Sequence, residues 1–294
     1  MADKPALRPD AAVGDALKAV ARDMLSEARA ALSLRDKPDT AAVHDYRKAM
    51  KRWRSLLRLQ QQWIGEDGRK LRTQARDHAR ELSGARDAQA ALEALDDLSE
   101  AGAGLSPRTL AAMRGRLDEI RRAAEASSLT AAVRARLLAG LETAAAAIDG
   151  WPLEHLTFAD VARELARSYR RVRRDAPADW RAAEPAVLHK LRSRVVAHRY
   201  QMELVVPLWP KFGRVWVAET QRLRDRLGAY QDLSVLRGFT APHAALAPWR
   251  SRLTPLILAR QATHAKAAQR IGGRLLAEKP KAFRRRLEAL WERG

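Results

Sequence analysis

From residue 43 to residue 58 two stripes run side by side along the chain. Val43, Tyr46, Met50, Trp53 and Leu57 follow a 3–4–3–4 spacing, which lines up one face of an α-helix and marks it for burial. One position over, His44, Arg47, Lys51, Arg54 and Arg58 keep the same spacing and make a cationic ridge beside the apolar one. From His44 to Arg58 that ridge spans about 21 Å at 1.5 Å per residue. Like charges one turn apart destabilise a helix by a few tenths of a kcal/mol each. Five stacked cationic positions without an acid therefore point to an anionic ligand. A solvated face would intersperse acids and bases in pairs.

Similar patterning covers most of the chain. Ala, Leu, Arg and Glu dominate while β-branched and aromatic residues are sparse, so the sequence reads as nearly all helix. The periodicity predicts helices over 11–34, 40–64, 67–83, 87–101, 107–126 and 130–149. A second set is expected over 158–174, 185–206, 211–227, 232–239, 248–272 and 280–292. Residues 1–9 read as a disordered leader. The breaks have chemical causes: Asp36-Lys37-Pro38-Asp39 ends one helix and offers Asp39 as the next N-cap, and Ser106-Pro107 supplies a cap followed by proline at the first helical position. Thr157 with Asp160 forms a capping-box pair, with Asp in place of Glu.

The ridge recurs. His44, Arg47 and Arg54 reappear as His189, Arg192 and Arg199, each 145 positions later. The same offset pairs Asp15 with Asp160, Lys18 with Arg163, Arg22 with Arg167, Arg29 with Arg174, Leu82 with Leu227 and Asp87 with Asp232. A gapless period of this length is far beyond a solenoid repeat and implies two similar helical halves. With short connections favouring antiparallel neighbours, the expected fold class is all-α: two pseudo-symmetric antiparallel four-helix bundles related by internal duplication, with a basic central groove or channel. The halves would cover 10–149 and 150–292, joined near Gly150-Trp151-Pro152 without an independent linker.

Charge sharpens the picture. The 294 residues carry 55 Lys+Arg against 35 Asp+Glu, a formal net charge of +20. Self-repulsion of that size calls for a use, and polyanion binding is the usual one. Arginine outnumbers lysine, which suits phosphate oxygens held by a planar fork of donors, although a GC-rich genome also favours arginine. Cysteine is absent, which removes disulfides and thiolate metal sites. No run of about 18 apolar residues occurs and the N-terminus has no apolar signal stretch, so the simplest reading is a cytosolic protein.

Further basic positions join the candidates. Arg167, Arg170, Arg171 and Arg174 share a helix face just before the second motif, and Lys18, Arg22 and Arg29 match part of that set in the first half. Arg72, Arg76 and Arg80 recur at i, i+4 and i+8 on the helix expected to lie antiparallel to the first motif. In the second motif Arg194 and His198 add charge, while Val196 and Ala197 stand where the first has Lys51 and Arg52, which predicts a weaker grip. His44 and His189 each open a helix and read equally as capping or core histidines or as donors to phosphate. Asp87 and Asp232 follow turn signals and read as helix caps.

The run HDYRKAMKRWR at 44–54 resembles the signature of the CHAD family, the conserved histidine α-helical domain, and ELSGARDAQAAL at 81–92 resembles its second block. LHKLRSRVVAHRYQMELVVPLWP at 188–210 and RLGAYQDLSVL at 226–236 resemble the matching blocks of the second half. The resemblance spans about residues 10–290 and identifies the whole chain, 1–294, as a single CHAD-like domain. It implies two pseudo-symmetric four-helix bundles around a basic central channel that binds inorganic polyphosphate, in some members at polyphosphate granules. The motif positions carried over are His44, Arg47, Lys51, Arg52 and Arg54, with His189, Arg192 and Arg199 in the second half.

The expected ligand set for polyphosphate is thus His44, Arg47, Lys51, Arg52, Arg54, Arg58, Arg76, Arg80, Lys18, Arg22, Arg167, Arg170, Arg171, Arg174, His189, Arg192, Arg194, His198 and Arg199, with the polymer threading along a groove. No cofactor, metal or catalytic residue is expected. A nonspecific nucleic-acid binder is the alternative, but single-strand binders interleave aromatic stacking platforms with their basic residues, and Trp53, Trp63, Trp209 and Trp216 fall on or near apolar faces. An enzyme is disfavoured. His44-Asp45 resembles a paired metal ligand, but no earlier histidine exists to complete it. Neither a G-x-x-x-x-G-K-[ST] loop, an H-E-x-x-H helix nor the paired acidic strand motif of triphosphate tunnel enzymes occurs. The amphipathic basic segment at 279–294 is expected to pack on the second bundle rather than on a membrane.

Overall fold

The expected periodicities become helices wherever an apolar stripe finds a partner. In the computed structural model of the protein, residues 5–34, 38–125 and 129–294 are described, and among them ten α-helices and two short 3₁₀ turns occur without a strand. The helices are α1 (Val13–Ser33), α2 (Asp39–Glu81), α3 (Arg86–Glu100), α4 (Pro107–Glu125), α5 (Ala131–Asp149), α6 (Phe158–Asp175), α7 (Pro185–Glu203), α8 (Pro210–Gly238), α9 (Arg250–Leu275) and α10 (Pro280–Trp291). Local chemistry starts several of them. Thr157 and Asp160 cap α6 reciprocally, and Ser106 Oγ accepts from the Thr109 N–H at 3.2 Å. Asp39 is the first residue of α2 rather than its cap, with Pro38 in the cap position. Residues 35–37 of that connection lie outside the described residues.

One expected break holds and three expectations change. The predicted helices at 40–64 and 67–83 are the two segments of α2, parted where expected by Gly65, whose φ of 54° and ψ of −130° only glycine adopts readily. Its second segment folds back on the first: Tyr46 Oη lies 3.5 Å from His78 Nδ1, and Arg47 Nη1 donates to the Leu82 carbonyl at 2.7 Å. The predicted helices at 211–227 and 232–239 are the single helix α8, so Asp232 sits inside a helix and caps nothing. Asp87 lies in the first turn of α3, where its charge complements the helix dipole, but the cap position belongs to Ala85 and no side chain bonds there. The leader is also partly ordered. Leu7 is fully buried and its N–H donates to the Leu204 carbonyl at 2.9 Å, while residues 1–4 lie outside the described residues.

Two hydrophobic cores hold the helices. The larger joins α1, α2, α5, α6, α7 and α10 with parts of α8 and α9, around Trp53, Tyr46, Tyr169 and Phe283. The smaller joins α3 and α4 to α8 and α9 through Leu95, Leu98, Met113, Leu117, Leu233 and Leu253. Each core draws helices from both sides of residue 150. The joint itself is buried, with Trp151 stacked on Trp53 at 5.8 Å between ring centroids. The amphipathic C-terminal helix packs as expected, Phe283 being buried against Tyr169 at 4.6 Å.

Candidate anion-binding site

Burial of Tyr46, Met50, Trp53 and Leu57 turns the adjacent ridge of α2 into a cleft instead of bulk water. Arg47, Lys51, Arg54 and Arg58 are half-buried, and His44 is exposed at the start of the row. Among the described residues none of the four, nor Arg192 of α7, forms an ion pair. Desolvation and neighbouring cations push their pKa values down together. Burial, then Arg86, brings the Arg47 guanidinium to about 10. Burial, with Arg72, Arg54, Arg194 and Arg171 behind it, does the same for Arg58. Lys51 falls to about 8, from burial first and then from Arg86, Arg47, Arg224 and Arg192. Arg54 and Arg192 are lowered chiefly by burial as well. Half-buried positive charge of this density, only partly offset by Asp77, Asp87, Asp225 and Asp232, is costly, and a bound anion relieves it.

The first half of the row opens into a cavity of about 460 Å³ between α2, α3, α7 and α8, where His44, Arg47 and Lys51 meet Arg192, Arg86 and Arg224. Both motif arginines, Arg47 and Arg192, therefore line one space. Gly228 of α8 lies beside Arg192, where a Cβ would stand in ordinary contact at 3.4 Å from its Nη2 and a larger side chain would crowd the guanidinium. At the other end Arg58, Arg171 and Arg194 converge on a small niche between α2, α6 and α7. The folded-back segment of α2 carries Arg72, Arg76 and Arg80 towards Arg54, whose pKa their charges depress. Arg76 and Arg80 are partly neutralised by Asp77, at 2.9 and 3.9 Å.

Other predicted ligands lie elsewhere. Lys18 pairs with Glu154 at 3.0 Å and donates to the Asp149 carbonyl at 3.2 Å, and Arg22 pairs with Asp149, so both brace α1 against the end of α5 and leave the lane. Arg52, one position off the ridge, points to the opposite side of α2, where Glu27 and Glu203 neutralise it. Arg199 lies on that same side, paired with Glu203 at 3.1 Å and stacked over Tyr200 at 4.9 Å. His198 is fully buried among Tyr169, Trp216 and Phe283, and desolvation takes its pKa to about 3. Four of these five depart from the expected set because neighbours far along the chain claim their charge or bury it, and Arg199 because Glu203 stands one turn on.

On α6, Arg167 donates to Gln62 Oε1 at 3.0 Å and pairs with Glu164, which ties the helix to the end of the first α2 segment. Arg170 is exposed, and Arg174 pairs with Asp175 at 3.3 Å. Arg194 also pairs with Asp175. His189 is exposed on α7 and is not among the residues lining the cavity, in contrast to His44. Sequence reasoning missed Arg86, Arg224 and the cavity role of Asp232. The last was signalled by the 145-residue match of Asp87 with Asp232, to which a capping reading was attached. Burial raises the Asp232 carboxyl to about 6, against the opposing pull of Arg192.

Among the described residues no group of three or more His, Asp and Glu side chains is placed to hold a metal ion, and no helix is long and apolar enough to cross a membrane. The family model for the CHAD domain matches residues 15–241. Two solved structures share the fold. PptA from Streptomyces chartreusis has a TM-score of 0.62 and 18% sequence identity, over 91% of this chain and 100% of that one. The crystal structure of the CHAD domain from the plant Ricinus communis has a TM-score of 0.51 and 21% identity, over 99% of this chain and 95% of that one. No curated protein sequence matches the chain.

Proposed function

Because this chain belongs to the CHAD family, we propose that it binds inorganic polyphosphate along the α2 row, without catalysing its turnover. One observation carries the reading: Arg47, Lys51, Arg54, Arg58 and Arg192 are half-buried cations, and none of them forms an ion pair among the described residues. Side chains about one helical turn apart along some 21 Å suit a repeating anion whose units need no individual recognition. Affinity then comes largely from released counterions and falls steeply with salt.

The matched spacing of the two motifs supports reading the chain as a duplicated unit, in which the first copy supplies most of the anion contacts. Arg192 is the second copy's principal contribution. Nucleic acid is the rival ligand, and the lining of the cavity favours polyphosphate: no Phe, Tyr or Trp stands among the described residues there, so bases would find no stacking platform. A place at polyphosphate granules follows from the same binding. Competition between polyphosphate and single-stranded DNA of matched charge, in equal salt, tests the choice. Equal displacement of a labelled polyphosphate by DNA overturns it. Phosphate release in the presence of Mg²⁺ or Mn²⁺ overturns the non-enzymatic reading.

A further inference from the structure

The cavity at the head of the row has walls of opposite character. His44, Arg47 and Lys51 of α2 and Arg192 of α7 form one side. The other combines Arg86, Glu93 and Asp97 of α3, Arg224, Asp225 and Asp232 of α8, and Glu125 at the end of α4. Most of these carboxylates are already engaged. Asp97 is held by Arg260 at 2.6 and 2.9 Å and by His264 at 2.8 Å. Asp225 accepts from Arg224 at 2.7 Å and from Gln221 at 2.6 Å, Glu93 accepts from Gln89 at 3.0 Å, and Glu125 pairs with Arg121 at 3.2 Å. Asp232 differs. It is half-buried, opens onto the cavity, and has no hydrogen bond or ion pair among the described residues.

A carboxylate that Arg192, Arg86 and Arg224 attract but no donor hydrogen-bonds among the described residues is a selective element in a cavity with this many cations. An interior phosphate of a polyphosphate chain brings only acceptor oxygens, and these repel the ionised form of Asp232. A terminal phosphate keeps a second, weakly held proton, with a pKa of about 6 for a monosubstituted phosphate. Its P–OH can donate to the carboxylate, and O–H···O⁻ bonds are among the short, strong ones. Resting on the polyphosphate reading above, we propose that this cavity seats a chain end: Asp232 accepts a hydrogen bond from the protonated terminal phosphate, Arg47, Lys51 and Arg192 take its remaining oxygens, and the chain runs out along the row towards Arg58. Asp232 is then the residue that distinguishes ends from interior. Burial raises the proton affinity of Asp232, which favours sharing a proton with the phosphate.

The test uses the full chain and linear polyphosphate of one length, either with free ends or with both terminal phosphates converted to alkyl esters, which removes the second proton and leaves the interior intact. At about pH 6.5 and fixed salt, capping is expected to weaken binding at least about tenfold, the scale of one charge-assisted hydrogen bond. Free-ended chains of increasing length are expected to saturate at two protein molecules per chain. Equal affinity for capped and free chains, or a stoichiometry that grows with length, overturns the end seat and leaves the polyphosphate reading standing. Failure of the parent protein to bind either chain overturns that reading, and the seat with it. In Asp232→Asn the amide can also donate to interior oxygens, so the preference for free ends should shrink to within about threefold. An unchanged preference in a variant that melts like the parent shows that the end is held elsewhere and overturns the role of Asp232.

Discussion

Arg192 on α7 lies against Gly228 on α8, so closely that a Cβ at position 228 would stand 3.4 Å from its Nη2 and 3.6 Å from its Nε. Alanine fits in that gap, whereas a larger side chain has to displace the guanidinium. Gly228→Ala should keep polyphosphate binding and raise stability by about 0.5 kcal/mol through helix propensity. Gly228→Leu should weaken binding severalfold at unchanged net charge, by pushing Arg192 aside. Calorimetric titration of the two variants at one salt concentration compares them.

Charge reversal separates the lane from the bracing arginines. Arg47→Glu combined with Arg192→Glu should abolish measurable binding of long-chain polyphosphate at physiological salt. Arg22→Ala, which removes an ion pair between α1 and Asp149, should leave binding within about twofold. Arg58→Ala should flatten the dependence of log K on log salt by about 0.7, as expected for one lost contact to a single-stranded polyanion. A double reversal that binds like the parent would place the polymer elsewhere.

Lys51 makes binding sensitive to alkaline pH. Its folded pKa of about 8 lies below the usual lysine value, so in the free protein it loses its charge as pH rises through 8. A polyanion must then restore that proton, and affinity should fall between about pH 8 and pH 10, with proton uptake on binding. Stability of the ligand-free protein moves the other way in this window, because the unfolded chain binds the proton more readily and folding becomes more favourable as pH rises. Lys51→Arg should flatten the affinity profile, which titration in buffers of different ionisation enthalpy would read directly.

His198 should be a liability rather than a ligand. It is fully buried and neither ring nitrogen reaches a hydrogen-bond partner among the described residues. His198→Phe should stabilise the fold by about 1–3 kcal/mol by removing that desolvation cost. With the folded pKa near 3, the unfolded state binds more protons between about pH 3 and the usual value near 6.5, so the parent loses stability as pH falls through that window. The gain from Phe should therefore be larger at pH 5 than at pH 8 in thermal melts. Polyphosphate affinity should stay unchanged.

Helices were legible because apolar stripes at 3–4 spacing report the buried face directly, and the row from His44 to Arg58 was legible for the same reason. What spacing could not supply was the identity of partners far along the chain. The family signature includes both Arg52 and Arg54, yet Glu27 of α1 and Glu203 of α7 pair with the first, and among the described residues the second forms no ion pair. The match of Arg54 with Arg199 misled in a way the sequence could have exposed: Arg199 has Glu203 one turn on, where Arg54 has Arg58. Asp232 was misread because Gly228 signals a turn. In the structure that glycine serves close packing under Arg192, and the helix continues through it.

Gly65 turns the chain back between the two helical segments of α2, so the cations of the first segment and the facing Arg72, Arg76 and Arg80 are joined through that one residue. In the proposed binding mode the spacing between these two rows is thereby decoupled from their chemistry. Lengthening or stiffening that single bend would widen or narrow the gauge for the polymer while every arginine stayed in place, which makes residues 64–68 the natural site at which to retune the protein for thicker or thinner polyanions.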